Sequence, residues 1–191
     1  TYGTMSAMHL NAKGSSYLAE REEFVASAKL RMTDAAINPM DGAMYFTVGG
    51  RGGQSALYRV TYTGNEDTSP AQKGSAFAEE RSLRTTLESH HVAGKGTVDK
   101  VWKHLSHEDR HIRWAARVAL EHQPVEQWQD RALKEKSPQA SLTALCALAR
   151  HGKSSIQGKL ISALESLNLG NLTKSQQLEL LRVYQLTFIR L

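Results

Sequence analysis

Tyr58-Arg59-Val60-Thr61-Tyr62-Thr63-Gly64-Asn65-Glu66-Asp67-Thr68-Ser69-Pro70-Ala71-Gln72-Lys73-Gly74-Ser75-Ala76-Phe77-Ala78, running on into Glu79-Glu80-Arg81-Ser82-Leu83, is where the chain changes period. Up to Tyr62 the side chains alternate: Val60 and Tyr62 share one face of a strand, Arg59 and Thr61 the other. Residues 64–78 are polar and rich in Gly, Ser and Pro, the composition of a linker. From Glu79 the apolar residues recur at helical spacing. The reading is therefore three parts: a sheet region over 1–63, a linker over 64–78 and a helical region over 79–191.

Upstream of the switch, Thr4–Leu10 and Tyr17–Val25 read as two strands about a Lys13-Gly14-Ser15 turn. Asp34–Asn38, Ala43–Val48 and Ala56–Tyr62 read as three more. Asn38-Pro39-Met40-Asp41-Gly42 is a tight turn in which Pro fixes φ and Asp-Gly supplies a positive-φ position. Strands this close together, joined by turns this short, imply an antiparallel meander.

Downstream, helices are predicted from Glu79 to about His91, from Thr97 to Leu105, and from a Ser106 cap to about His122, before Pro124. Val125–Lys136 follows. Ser137-Pro138 then starts a helix that closes at Gly152. Ser154 or Ser155 opens another, ending near Asn168-Leu169-Gly170, and Thr173-x-x-Gln176 is a capping box for the last. Trp114, Ala116, Ala119 and Leu120 recur 28 residues later as Leu142, Ala144, Ala147 and Leu148. Helix pairs repeating at about 30 residues are the mark of an α-solenoid. Asp109-Arg110-His111-Ile112-Arg113-Trp114-Ala115-Ala116-Arg117 resembles a HEAT-like repeat.

The "T-D-A-x-x-N-P-x-D-G-x-x-Y-F" pattern at Thr33–Phe46, followed by Leu57-Tyr58-Arg59-Val60, resembles a blade of a glucose/sorbosone dehydrogenase-like β-propeller. With Asp109–Glu121 and Leu180–Leu186, the chain resembles the PVC-type haem-binding CxxCH multidomain proteins. That resemblance implies an α+β multidomain fold, with the C-terminal blade or blades of a β-propeller over 1–63 and an α-solenoid of HEAT-like repeats over 79–191. It also implies a periplasmic or extracytoplasmic location, and haem c in a longer parent related to sugar or alcohol dehydrogenases. The chain itself holds no CxxCH, so no haem is expected on it. The opening Thr-Tyr-Gly-Thr inside a strand pattern and the close on an apolar helical pattern suggest a piece of a longer protein.

Charge and motifs bound the function. The net charge of +5 lies wholly after residue 96, where 14 Lys and Arg face 9 Asp and Glu. These alternate in sign, as on a salt-bridged surface, so nucleic acid is not the expected partner. No apolar run approaches the ~20 residues that span a bilayer. Cys146 is the only cysteine; among Ala and Leu it reads as a core residue. Trp102, Trp114 and Trp128, at helical spacing, read as core too.

His107-Glu108-Asp109-Arg110-His111 matches H-E-x-x-H, whose chemistry needs two imidazoles one helical turn apart on a zinc ion. It falls at a helix start, so a metal-dependent hydrolase is disfavoured and no metal ligand is nominated. His90-His91 reads as a helix end favoured by the dipole. Gly49-Gly50-Arg51-Gly52-Gly53 does not lead from strand to helix and is not a phosphate loop. Asp34 and Arg51 are the candidates for contacts at a propeller axis. There is no G-x-S-x-G elbow, and no catalytic residue is nominated. The expected function is a non-catalytic scaffold or interaction segment of the haem-binding parent, contacting a protein partner or neighbouring domains through the helical repeats. The alternative is a stand-alone protein-binding module.

Overall fold

A computed structural model describes residues 3–28, 30–50, 52–69 and 74–191. The chain divides into two compact units, Thr1–Ala12 with Tyr17–Ser75 and Lys13–Ser16 with Ala76–Leu191.

The first unit holds five strands in two separate sheets. β1 (Gly3–Lys13) and β2 (Ser16–Ser27) form a two-stranded ribbon. Polar pairs face each other along it: His9 with Glu22 at 2.6 Å, and Arg21 Nε donating to Ser6 Oγ at 3.0 Å. β3 (Met32–Ile37), β4 (Met44–Val48) and β5 (Ala56–Val60) form an antiparallel sheet with β4 in the middle. The turn chemistry of Asn38–Gly42 explains the β3–β4 hairpin. Asn38 Oδ1 accepts from Met40 N, Asp41 Oδ1 accepts from Ala43 N, and Gly42 takes φ +66°. Among the described residues, the buried apolar ones of this unit are Ala43, Phe46 and Val48, with Phe46 stacked on Tyr58 at 5.1 Å.

The expected fold, terminal blades of a β-propeller running into a solenoid of HEAT-like repeats, is overturned. The protein is a small α+β structure with a two-stranded and a three-stranded sheet and seven helices among the described residues, and no propeller closes. A propeller blade is a four-stranded sheet packed around a central channel. Among the described residues, the two sheets share no strand pairing. The Asn-Pro-x-Asp-Gly turn dictates a hairpin wherever it occurs; it does not dictate what the hairpin joins.

The second unit contains α1 (Ala78–Glu88), α2 (Thr97–Trp102), α3 (Arg110–Glu121), α4 (Gln129–Lys134), α5 (Pro138–His151), α6 (Gln157–Glu165) and α7 (Lys174–Arg190). They stack in two layers. In one, α1 packs on α3, α3 on α5 and α5 on α7; behind it, α2, α4 and α6 pack against the same helices. The repeat is irregular, since α2 and α4 have six residues each and α5 has fourteen.

Sequence explains the layering. On α3 the buried residues are Ile112, Ala115, Ala116, Ala119 and Leu120, spaced as one helical stripe. The opposite face carries Arg110, Arg113, Trp114 and Arg117. On α5 the run from Ala140 to Ala149 is buried except for Cys146, so the helix is apolar nearly all round and occupies the centre. Leu105, Ile112, Leu120, Trp128, Leu142, Leu145, Leu148, Leu160 and Leu164 fill one continuous core.

Caps set the ends. Thr173 and Gln176 make the predicted reciprocal capping box on α7. α3 starts three residues later than the Ser106 cap implied, because Asp109 is its N-cap, accepting from His111 N and Ile112 N. The predicted Val125–Lys136 helix is split at Trp128, whose φ of −137° breaks it into a 3-10 turn and α4. Burial decides this: Trp128 is fully enclosed, and its Nε1 donates to Gln123 O at 3.2 Å.

Candidate functional site

In the second unit a groove of ≈ 680 Å³ crosses α3, α5 and α7, with Arg84 of α1 also lining it. The floor comes from α5 and α7: Leu142, Thr143, Cys146 and Val183. α3 contributes Arg110, His111, Arg113, Trp114 and Arg117; α7 contributes Ser175, Glu179 and Arg182. Because α5 lies between α3 and α7 in its layer, the cationic side chains flank an apolar strip on two sides.

Local sequence builds this directly. Arg110, Arg113, Trp114 and Arg117 follow i, i+3, i+4 and i+7, so they share a face of α3. Three of the five arginines are held by the protein. Arg84 Nε donates to Glu88 at 2.7 Å. Arg113 donates to the His107 and Glu108 carbonyls at 2.7 and 2.9 Å and lies 3.8 Å from Glu179. Arg117 pairs with Glu121, which also meets Arg150 at 3.0 Å and His151 at 3.4 Å. Glu179, the one acidic residue lining the groove, also accepts from Gln139 Nε2 at 2.7 Å. Arg182 reaches only Gln185, at 2.6 Å, and Arg110 has no partner among the described residues. Trp114 is 49 % exposed at the groove edge, with its ring edge-on to His91 at 6.1 Å. Burial pushes the Cys146 thiol up, with Glu121 and Glu179 adding to the rise and the nearby arginines opposing it. The thiol is therefore not an activated nucleophile.

The turn preceding α3 is fastened separately. Asp109 Oδ1 accepts from His111 N at 2.7 Å and Oδ2 accepts from Ser15 N at 2.6 Å. Burial raises its pKa, but the N–H donors of Ser15, His111 and Ile112 outweigh this and hold the carboxyl at about 2. Arg84 Nη1 donates to Ser15 O at 3.3 Å. Gly14 takes φ +55°, and a Cβ there would collide with the Asp109 carboxylate.

The sequence-nominated residues fall elsewhere or take other roles. His107 precedes α3 and accepts from Asp109 N through Nδ1 at 3.0 Å, whereas His111 is the second residue of α3 and lines the groove. The two are not one turn apart on a single helix, as H-E-x-x-H requires. Among the described residues, no group of three or more His, Cys, Asp and Glu is placed to hold a metal. His91 lies beyond the end of α1, with Nε2 3.0 Å from Ala115 O and its ring stacked on His122 at 5.9 Å. Asp34 is exposed on β3 opposite Thr47 and caps Ala35 N at 2.8 Å; a three-stranded sheet provides no propeller axis for it to address. Arg51 lies outside the described residues. Trp102 and Trp128 are core, as the spacing implied, but Trp114 is not.

The groove arginines were not nominated from sequence, although the Arg110/Arg113/Trp114/Arg117 spacing was the available signal. No described helix is long and apolar enough to cross a membrane. No protein-family model, no curated protein and no solved structure matches the chain.

Proposed function

We propose that the helical unit is a non-catalytic interaction module that holds a segment of a partner protein in the groove across α3, α5 and α7. The observation that carries this reading is the composition of the groove: an exposed Trp114 and five arginines around a Leu142/Cys146/Val183 strip. Tryptophan and arginine are the residues that most often dominate binding at protein interfaces, where they surround an apolar centre. Residence of this module within an extracytoplasmic, haem-c-bearing parent is a further part of the proposal. It rests on the sequence resemblance of Thr33–Arg51 and of the helices, and a CxxCH motif encoded in the same reading frame is its test.

The groove is tested by selecting random twelve-residue peptides on the whole protein and re-testing the winners on Trp114→Ala. Peptides that lose binding to the variant support the reading. Failure to enrich any peptide, or enrichment indifferent to Trp114, refutes it.

A further inference from the structure

We infer that the occupant of this groove is an acidic peptide segment in which an apolar side chain is flanked by carboxylates. The inference rests on the interaction-module reading and adds the chemistry of the partner. Five guanidinium groups line the groove against one carboxylate, and that carboxylate, Glu179, is already engaged by Gln139 and faces Arg113. The held arginines, Arg84, Arg113 and Arg117, are positioned by the protein and set a fixed positive field. Arg110 and Arg182 sit on the two helices that flank α5 and keep donors unused by other charged groups.

A guanidinium is a planar fork that matches a carboxylate with two parallel N–H donors. The groove shares with these two forks an apolar strip of Leu142 and Cys146 on α5 and Val183 on α7, and Trp114 lines it too. An apolar side chain seated on that strip would carry its neighbouring carboxylates toward Arg110 on one side and Arg182 on the other. A nucleic-acid strand fits less well. No lysine lines the groove, and its floor is aliphatic with one aromatic at the edge, whereas single strands call for a backbone track with successive stacking platforms.

The test uses the whole protein and three fluorescein-labelled probes. One is a twelve-residue peptide alternating glutamate with leucine; the second has glutamine in place of every glutamate; the third is a twenty-nucleotide oligothymidylate. Fluorescence anisotropy is read at low and at physiological salt. Protection of Cys146, the only cysteine, from alkylation reports whether a probe occupies the groove.

The acidic peptide is expected to bind, to protect Cys146, and to weaken about tenfold in each of Arg110→Ala and Arg182→Ala. Salt should weaken it further. Both substitutions lie on exposed side chains, and circular dichroism confirms that the helices are intact. If the glutamine peptide binds as tightly and protects Cys146, the acidic inference falls while the groove remains a peptide site. If neither peptide binds, the acidic inference falls, and the random-peptide selection decides the groove reading separately. Tighter binding of the oligothymidylate than of the acidic peptide also overturns the inference.

Discussion

Asp109→Ala removes three things at once: the α3 N-cap, a negative charge at a helix N-terminus and the acceptor for Ser15 N. A cap of this kind contributes about 1 kcal/mol. The linkage can be worked from the carboxyl's folded value of about 2 against an ordinary 3.8. At roughly 1.4 kcal/mol per pH unit, that difference corresponds to about 2.4 kcal/mol. Asp109 is only partly buried, so solvent screening reduces the figure to about 1–2 kcal/mol. Cap and charge overlap, which puts the loss in Asp109→Ala at about 2 kcal/mol at neutral pH.

The sign follows from the direction of the shift. A folded pKa below the unfolded one makes the contribution complete above about pH 4, and it is lost as pH falls toward 2. Urea unfolding followed by circular dichroism at pH 7, 4 and 2 checks this. The gap between wild type and Asp109→Ala should be about 2 kcal/mol at pH 7 and shrink by more than half at pH 2. Asp109→Asn, which keeps a capping oxygen, should fall between the two. A gap under 0.5 kcal/mol at pH 7, or one unchanged between pH 7 and pH 2, would refute the reasoning.

Gly14→Ala forces a side chain into a positive-φ position and against the same carboxylate. It should destabilise by about 1–2 kcal/mol, and a double-mutant cycle with Asp109→Ala should show less than additive loss. Gln123 is 3 % exposed, accepts from Gly94 N and donates to the Val92 and Ala119 carbonyls, each at 2.9 Å. Gln123→Ala leaves those groups unpaired and should cost about 2–3 kcal/mol in chemical denaturation; a loss below 0.5 would show that water replaces the amide freely. Zinc titration by calorimetry should show no tight one-to-one site, because His107 and His111 do not share a helical face. A submicromolar site abolished by His111→Ala would contradict that geometry.

Several elements were legible because their causes are local. The Lys13-Gly14-Ser15 and Asn38–Gly42 turns, the Thr173/Gln176 capping box and the apolar stripe of α3 each follow from residues a few positions apart. Other elements were misread because a distant partner decides them. Ser106 and Asp109 are both adequate N-caps in isolation; Asp109 takes the role in the structure, where its second oxygen also binds Ser15 N, 94 residues away in the chain. Trp128 interrupts the predicted helix at φ −137°, with its indole fully enclosed and its Nε1 donating to Gln123 O, a partner that local helical spacing does not supply. Trp114 has helical core spacing yet stays half exposed, since α3 turns that face toward the groove.

From the residues alone came the succession of strands, polar connection and helices, because side-chain period and turn chemistry act over a few positions of chain. Tertiary structure alone decided that the strands form two small sheets rather than part of a propeller, since strand count and closure depend on which edges find hydrogen-bond partners. It also decided that arginines from α1, α3 and α7, up to 98 positions apart in Arg84 and Arg182, meet around one apolar strip. Such convergence is set by how helices pack, and no short-range pattern encodes it.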